Sequence, residues 1–274
     1  MIPAAFDYRR ASSLSEALQL LSEGGEDAKL IAGGHSLLPL MKLRLSSPST
    51  LVDIGRLSDL SYVREDGDRV AIGALTRHRD LQTSDLLRSH VPLIAHVAGQ
   101  VGDPQVRHRG TIGGSIAHGD PASDLPAACL ALGATFKVEG PGGKRAIDAS
   151  DFFQGFLETA LSPDEVLVEV SVPKFTGVGW SFQKFNRRAQ DWAIVGVAAL
   201  GGDSPGLGLI NMGPIPVRAT AVESALASGA NAAEAATHAS DGLDPPSDLN
   251  ATPEYRRHLA EVLVRRALEE AGTA

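Results

Sequence analysis

Two short stretches combine paired glycines with hydroxyl side chains: Ala32-Gly33-Gly34-His35-Ser36 and Thr111-Ile112-Gly113-Gly114-Ser115. Glycine has no Cβ, so such backbone can take positive φ and let a ligand come close to its N–H groups. Successive N–H groups pointing one way form a concavity that suits a phosphate. Thr111 and Ser115 add hydroxyl donors on either side, and His35 could add a ring N–H. One Gly-Gly pair reads as an ordinary turn. Two, each after an apolar run and each carrying Ser, read as cradles for a ligand with two phosphates and a long body. A dinucleotide fits that description.

Other chemistries find no motif. A Gly-x-Gly-x-x-Gly hexad is missing, because the stretch Gly206-Leu207-Gly208-Leu209-Ile210-Asn211 fails at its last position. The phosphate loop Gly-x4-Gly-Lys-Ser/Thr is missing too, since Gly143-Lys144 is followed by Arg145. No Gly-x-Ser-x-Gly elbow marks a nucleophile. His118-Gly119-Asp120 has no second ligand at helical spacing, so no metal site is expected. Cys129 is the only cysteine. It excludes an intrachain disulfide and the usual four-Cys iron–sulfur ligation, and its apolar neighbours make it a small core residue. Any redox cofactor on this chain would be organic. The formal charge of -8 argues against nucleic-acid binding. No apolar run approaches the ~18 residues of a membrane span, and the N-terminus lacks the pattern of a signal peptide. A cytoplasmic protein is expected.

The elements that must position these motifs follow from periodicity. Ser13-Leu14-Ser15-Glu16 reads as a capping box, with a helix following and Gly24-Gly25 ending it. A strand from Ala28 to Ile31, a helix over Leu37–Leu45 and a strand at Leu51–Ile54 make a small α/β unit over residues 1–55. Residues 56–176 read as mainly antiparallel. Hairpins turn at Asp66-Gly67 and Gly140-Pro141-Gly142-Gly143, Thr76 caps a short helix, and Val166–Val172 alternates like a half-exposed strand. Residues 177–274 hold three strand candidates, Trp180–Phe185, Ala193–Leu200 and Leu207–Met212. Helices follow at Val217–Ala227, Ala232–Ala239 and Pro253–Glu270, the last with Thr252 as cap and Pro253 at its first position.

The two motifs, with Asp120-Pro121-Ala122-Ser123-Asp124-Leu125-Pro126, resemble the FAD-binding medium subunits of the molybdenum hydroxylase (xanthine dehydrogenase) family, and within it the carbon monoxide dehydrogenase branch. The resemblance runs nearly the whole chain. It implies an α+β fold: a two-subdomain FAD-binding unit of the PCMH (vanillyl-alcohol-oxidase-like) type over 1–176, then a small α+β domain over 177–274 with a three-stranded antiparallel sheet. It implies FAD with its pyrophosphate at Ala32, Gly33, Gly34, His35, Ser36, Thr111, Ile112, Gly113, Gly114 and Ser115. Asp124 matches an FAD-contacting aspartate, though it also reads as a helix N-cap, and the two roles are compatible. Leu167 and Lys184 match positions lining the flavin ring; Lys184 reads equally as a solvated strand lysine. Trp192, where relatives carry Tyr, reads either as stacking on the ring or as a core residue.

The implied partners are a large molybdenum-cofactor subunit and a small [2Fe–2S] subunit in a dimer of heterotrimers. Quinone, NAD or oxygen would be the acceptor, and peripheral membrane association of the complex is compatible with this. Medium subunits of aldehyde, xanthine or N-heterocycle dehydrogenases would look similar. A stand-alone FAD oxidoreductase is a third reading, and the chain offers it no obvious acid–base pair.

Overall fold

The computed structural model describes residues 2–272. The chain opens with β1 (Asp7–Arg10), α1 (Leu14–Gly24), β2 (Ala28–Ile31), α2 (Leu37–Leu43) and β3 (Thr50–Asp53). The three strands run parallel in the order β1-β3-β2. Strand β1 has no counterpart in the sequence reading, because all four of its side chains are exposed and leave no apolar alternation. Helix α1 starts at Ser13, whose hydroxyl accepts the Glu16 N–H. The Glu16 carboxylate, however, accepts from the N–H and hydroxyl of Ser12 rather than from Ser13. Ala17, Leu20 and Leu21 pack with Ala28 and Val52, fixing where β2 ends and its loop begins.

The second part starts with the hairpin of β4 (Val63–Asp66) and β5 (Arg69–Gly73). Six helices follow: α3 (His78–Thr83), α4 (Asp85–His90), α5 (Pro92–Gln100), α6 (Pro104–Arg109), α7 (Ile112–His118) and α8 (Asp124–Ala131). Then come β6 (Thr135–Gly140), β7 (Gly143–Asp148), α9 (Ala149–Phe152), the small hairpin of β8 (Phe153–Gly155) and β9 (Glu158–Thr159), and β10 (Val166–Pro173). The large sheet has the order β4-β5-β10-β6-β7, with every neighbouring pair antiparallel. Its apolar face, with Ile72, Phe136 and Val170, packs with Leu93, Ile94, Val97, Leu125 and Cys129.

The expectations for Thr76 and for the strand at Val166–Val172 fail in this part. Thr76 does not cap α3; its hydroxyl accepts from Tyr62 N–H and donates to the Tyr62 carbonyl. Strand β10 is not half-exposed, because it lies at the sheet centre with Glu169 and Ser171 buried. The Lys137 ammonium (2.6 Å) and Arg64 guanidinium (3.1 Å) close over Glu169, and Tyr62 donates to it at 2.6 Å. Burial alone would raise the Glu169 carboxyl, but Lys137, Tyr62 and Arg64 outweigh it and hold it below its ordinary value. The Tyr62 hydroxyl is pushed up to about 12 by burial and by Glu169.

The last part holds β11 (Trp180–Phe185), β12 (Val195–Leu200), β13 (Gly206–Ile210) and β14 (Val217–Arg218), then α10 (Thr220–Ala227), α11 (Ala232–Ala236) and α12 (Pro253–Glu270). The sheet is four-stranded, β11-β12-β13-β14, not three-stranded. Val217-Arg218, read from sequence as a helix start, is the fourth strand. The Arg218 guanidinium ties it down by binding the Glu223 carboxylate and the Leu130 carbonyl, and two residues show no periodicity. One face of the sheet packs on α12 through Leu259, Leu263, Val264 and Ala267.

The other face meets α8, and glycine permits the contact. A Cβ on Gly206 would collide with the Ala131 carbonyl oxygen, and one on Gly208 with that of Ala127. The bare strand lets α8 lie directly on β13, which brings the start of α8 beside β11. Gly208→Ala should therefore destabilise the chain by about 1–3 kcal/mol as an overpacked contact. Thermal unfolding would show a melting point lowered by roughly 3–10 °C; an unchanged one would mean that α8 does not rest on this strand.

Candidate functional site

A cavity of about 580 Å³ collects residues from all three parts of the chain, a volume within the roughly 300–1,000 Å³ typical of ligand sites. Ala32, Gly33, Gly34, His35 and Ser36 line it from the loop between β2 and α2, and Thr111, Gly113, Gly114 and Ser115 from the start of α7. Asp124, Leu167, Lys184 and Trp192 line it as well. Ile112 alone among the residues singled out is turned away: its side chain is fully buried in the core formed with Ile116 and Leu125.

The two glycine motifs differ in chemistry. In the first, Gly34 takes φ +77°, and among the described residues the amides of Gly33 to Ser36 have no protein acceptor. The second is not a loop but the first turn of α7. From Ile112 to Ser115 its amides are engaged: Ile112 N–H donates to the Thr76 carbonyl (3.1 Å), Gly113 to Ala74 (2.8 Å) and Ser115 to Thr111 (3.1 Å). Gly114 N–H donates to the Thr111 hydroxyl oxygen at 3.1 Å. Beyond Thr111 the second motif therefore offers hydroxyls rather than amides, and the first offers backbone N–H groups.

The first glycine of each pair permits close approach of backbone. A Cβ on Gly33 would strike the Arg109 carbonyl oxygen and stand 3.0 Å from Gly110 Cα; one on Gly113 would stand 2.6 Å from Ala74 Cβ. Gly33 thus packs the first loop against the segment leading into α7. Arg77 clamps the same seam, donating to the carbonyls of Arg109 and Gly55. Burial and the nearby Arg109 lower the Arg77 guanidinium below its ordinary value.

On the wall of the same cavity Lys184, on β11, meets Asp124, on α8, with Nζ 2.7 Å from Oδ2. The side chains are only 10% and 6% exposed, so Lys184 is not a solvated strand lysine. Its Nζ also donates to the Gln100 carbonyl at 3.2 Å. Asp124 is not the N-cap of α8; that position belongs to Ser123. Burial raises the Asp124 carboxyl to about 6, against the lowering pull of Lys184. Asp124 Oδ1 is buried with no partner. An unpaired buried acceptor on a cavity wall calls for a donor from whatever fills the cavity. Trp192 is 57% exposed and is therefore no core residue.

Two lining residues carry no signal in the sequence. Leu157, at the tip of the β8–β9 hairpin, holds φ +58°, a left-handed conformation that costs a leucine roughly 1–2 kcal/mol. Such strain gathers at ligand clamps. His78 opens α3 and is 2% exposed; nothing in its neighbours' types marks it.

The chain is similar to known proteins over nearly its whole length. The family model "FAD binding domain in molybdopterin dehydrogenase" matches residues 4–175, and "CO dehydrogenase flavoprotein C-terminal domain" matches residues 180–271. The chain is 43% identical to the carbon monoxide dehydrogenase medium chain of Hydrogenophaga pseudoflava, over 99% of this chain and 98% of that one. It is 39% identical to the glyceraldehyde dehydrogenase medium chain of Sulfolobus acidocaldarius, over 98% and 99%. A chain of the solved carbon monoxide dehydrogenase from Hydrogenophaga pseudoflava superposes with a TM-score of 0.96 over 99% of both. FAD fits what the cavity presents: free amides and hydroxyls suited to a diphosphate, and an unpaired carboxylate oxygen suited to a ring N–H. The chain belongs to the FAD-binding medium subunits of the molybdenum hydroxylases, with a C-terminal domain of the carbon monoxide dehydrogenase type.

Proposed function

We propose that this chain is the flavoprotein subunit of a carbon monoxide dehydrogenase, carrying electrons from the [2Fe–2S] clusters of a small partner subunit to an external acceptor such as quinone. Substrate oxidation would take place on a large molybdenum-cofactor subunit, in a dimer of heterotrimers. FAD supplies a carrier that handles both one- and two-electron steps. The chain's own residues bind and orient it. The amides of Gly33 to Ser36 and the hydroxyls of Thr111 and Ser115 would hold the diphosphate. Asp124, Leu167, Lys184 and Trp192 would surround the ring, with the Asp124 carboxylate accepting a ring N–H and the Lys184 cation favouring negative charge nearby. Residues 1–176 would form the FAD-binding unit and 177–274 the domain that completes the site through Lys184.

The carrying observation is the convergence of two unlike donor sets on one cavity, in a chain similar to medium subunits over its whole length. The test uses the native complex stripped of flavin. Carbon monoxide should still bleach the iron–sulfur absorbance, while reduction of a soluble quinone is lost and returns when FAD is added back. Undiminished quinone reduction without flavin would overturn the reading.

A further inference from the structure

The His78 ring lies behind Ser115, with Nε2 3.3 Å from the Ser115 hydroxyl oxygen. Its backbone is pinned, since His78 N–H donates to the Gly110 carbonyl at 3.0 Å. The ring is pinned too: a Cβ on Gly110 would stand 2.6 Å from its Cδ2 and 2.7 Å from its Nε2. The other nitrogen, Nδ1, is buried with no partner. A bare buried acceptor is tolerated better than an orphaned buried N–H, so the proton belongs on Nε2 and the Nε2–H donates to Ser115 Oγ. The Ser115 amide already donates to Thr111. The hydroxyl is the one donor Ser115 has left for the cavity, and its oxygen is occupied from behind.

We infer that His78 is a positioning residue for the bound dinucleotide. Its Nε2–H fixes the Ser115 hydroxyl rotor so that Ser115 O–H points at an anionic ligand oxygen. A rotor free to turn would waste its proton on His78 Nε2 or on solvent, whereas a chain of two bonds running one way also strengthens the outer one. The surroundings keep the ring neutral: burial, with His35, Arg77 and Arg107 adding repulsion, lowers the imidazole to about 4. A neutral ring places no second charge beside the diphosphate, and the arrangement holds unchanged across physiological pH. This role rests on the proposed placement of the diphosphate at Thr111 and Ser115.

A double-mutant cycle on the flavin-stripped complex tests it, reading the Kd for FAD from quenching of flavin fluorescence. Ser115→Ala and His78→Met should each weaken binding by about five- to tenfold, the loss of one hydrogen bond. In the Ser115→Ala background His78→Met should add almost nothing, because the hydroxyl it orients is gone. His78→Gln, whose amide nitrogen can reach the position of Nε2, should recover most of the affinity. His78→Asn, which mimics Nδ1 instead, should not. Additive losses in the cycle, or equal losses with Gln, Asn and Met, would reduce His78 to a packing residue and overturn the inference. Failure of the wild-type complex to rebind FAD, or no effect of Ser115→Ala, would instead overturn the placement of the diphosphate.

Discussion

Gly33→Ala should cost the protein its grip on FAD while leaving most of the fold standing. The added methyl would enter the seam where the first loop touches the Arg109 carbonyl and Gly110 Cα. Neither is a flexible side-chain end, so the loop carrying the free amides must move away from the Thr111 and Ser115 hydroxyls. An overpacked contact of this kind costs about 1–3 kcal/mol, which taken from ligand binding is roughly 5- to 150-fold in Kd. Gly34 makes a useful control, since its φ of +77° strains any L-residue whatever the space. Fluorescence titration with FAD measures the loss, and circular dichroism checks the fold. An unchanged Kd for Gly33→Ala would mean that the two motifs do not act on one ligand.

Lys184→Met should destabilise the chain strongly at alkaline pH and weakly at acid pH. Removing one partner of a buried ion pair costs about 3–5 kcal/mol because the other charge stays buried alone. Asp124 can escape by taking a proton. Its folded pKa of about 6 lies above the ordinary 3.8, so the folded state binds more protons than the unfolded chain in between. Stability from this group is therefore greatest at low pH and falls as pH rises from about 4 to about 6. Without Lys184 the folded value rises further, and the decline extends upward in pH. Urea melts at pH 5 and pH 8 should show a loss at least about twofold larger at pH 8. Adding Asp124→Asn should restore much of it. Equal losses at both pH values would mean that Asp124 and Lys184 are not buried together.

Much of this was legible because local chemistry wrote it. The Asp66-Gly67 turn, the Thr252–Pro253 start of α12 and the strand–loop–helix unit after α1 all carry their own signals. The cavity lining was legible through residue type: glycines, hydroxyls and one acidic run. What escaped was decided at a distance. Strand β1 has every side chain in solvent, and β14 depends on Arg218 reaching Glu223 and Leu130. The second Gly-Gly pair looked like a loop because glycine disfavours helix by about 1 kcal/mol. Carbonyls of Ala74 and Thr76, about forty residues earlier, hold that turn helical. This is also why the two motifs are unequal cradles: the first has the amides of Gly33 to Ser36 free, whereas those from Ile112 to Ser115 are engaged. The Ile112 side chain points into the core for the same reason, since a helix turn sends it inward. His78 lies 37 residues from Ser115, and no spacing rule connects them.

The most direct test of the whole is a crystal structure of the FAD-loaded complex, read at the diphosphate. Phosphate oxygens should lie within hydrogen-bond distance of amides between Gly33 and Ser36 and of the Thr111 and Ser115 hydroxyls, with Gly114 N–H still bonded to Thr111. A diphosphate outside this cavity, or one bound by the Gly113 and Gly114 amides after α7 has unwound, would contradict it.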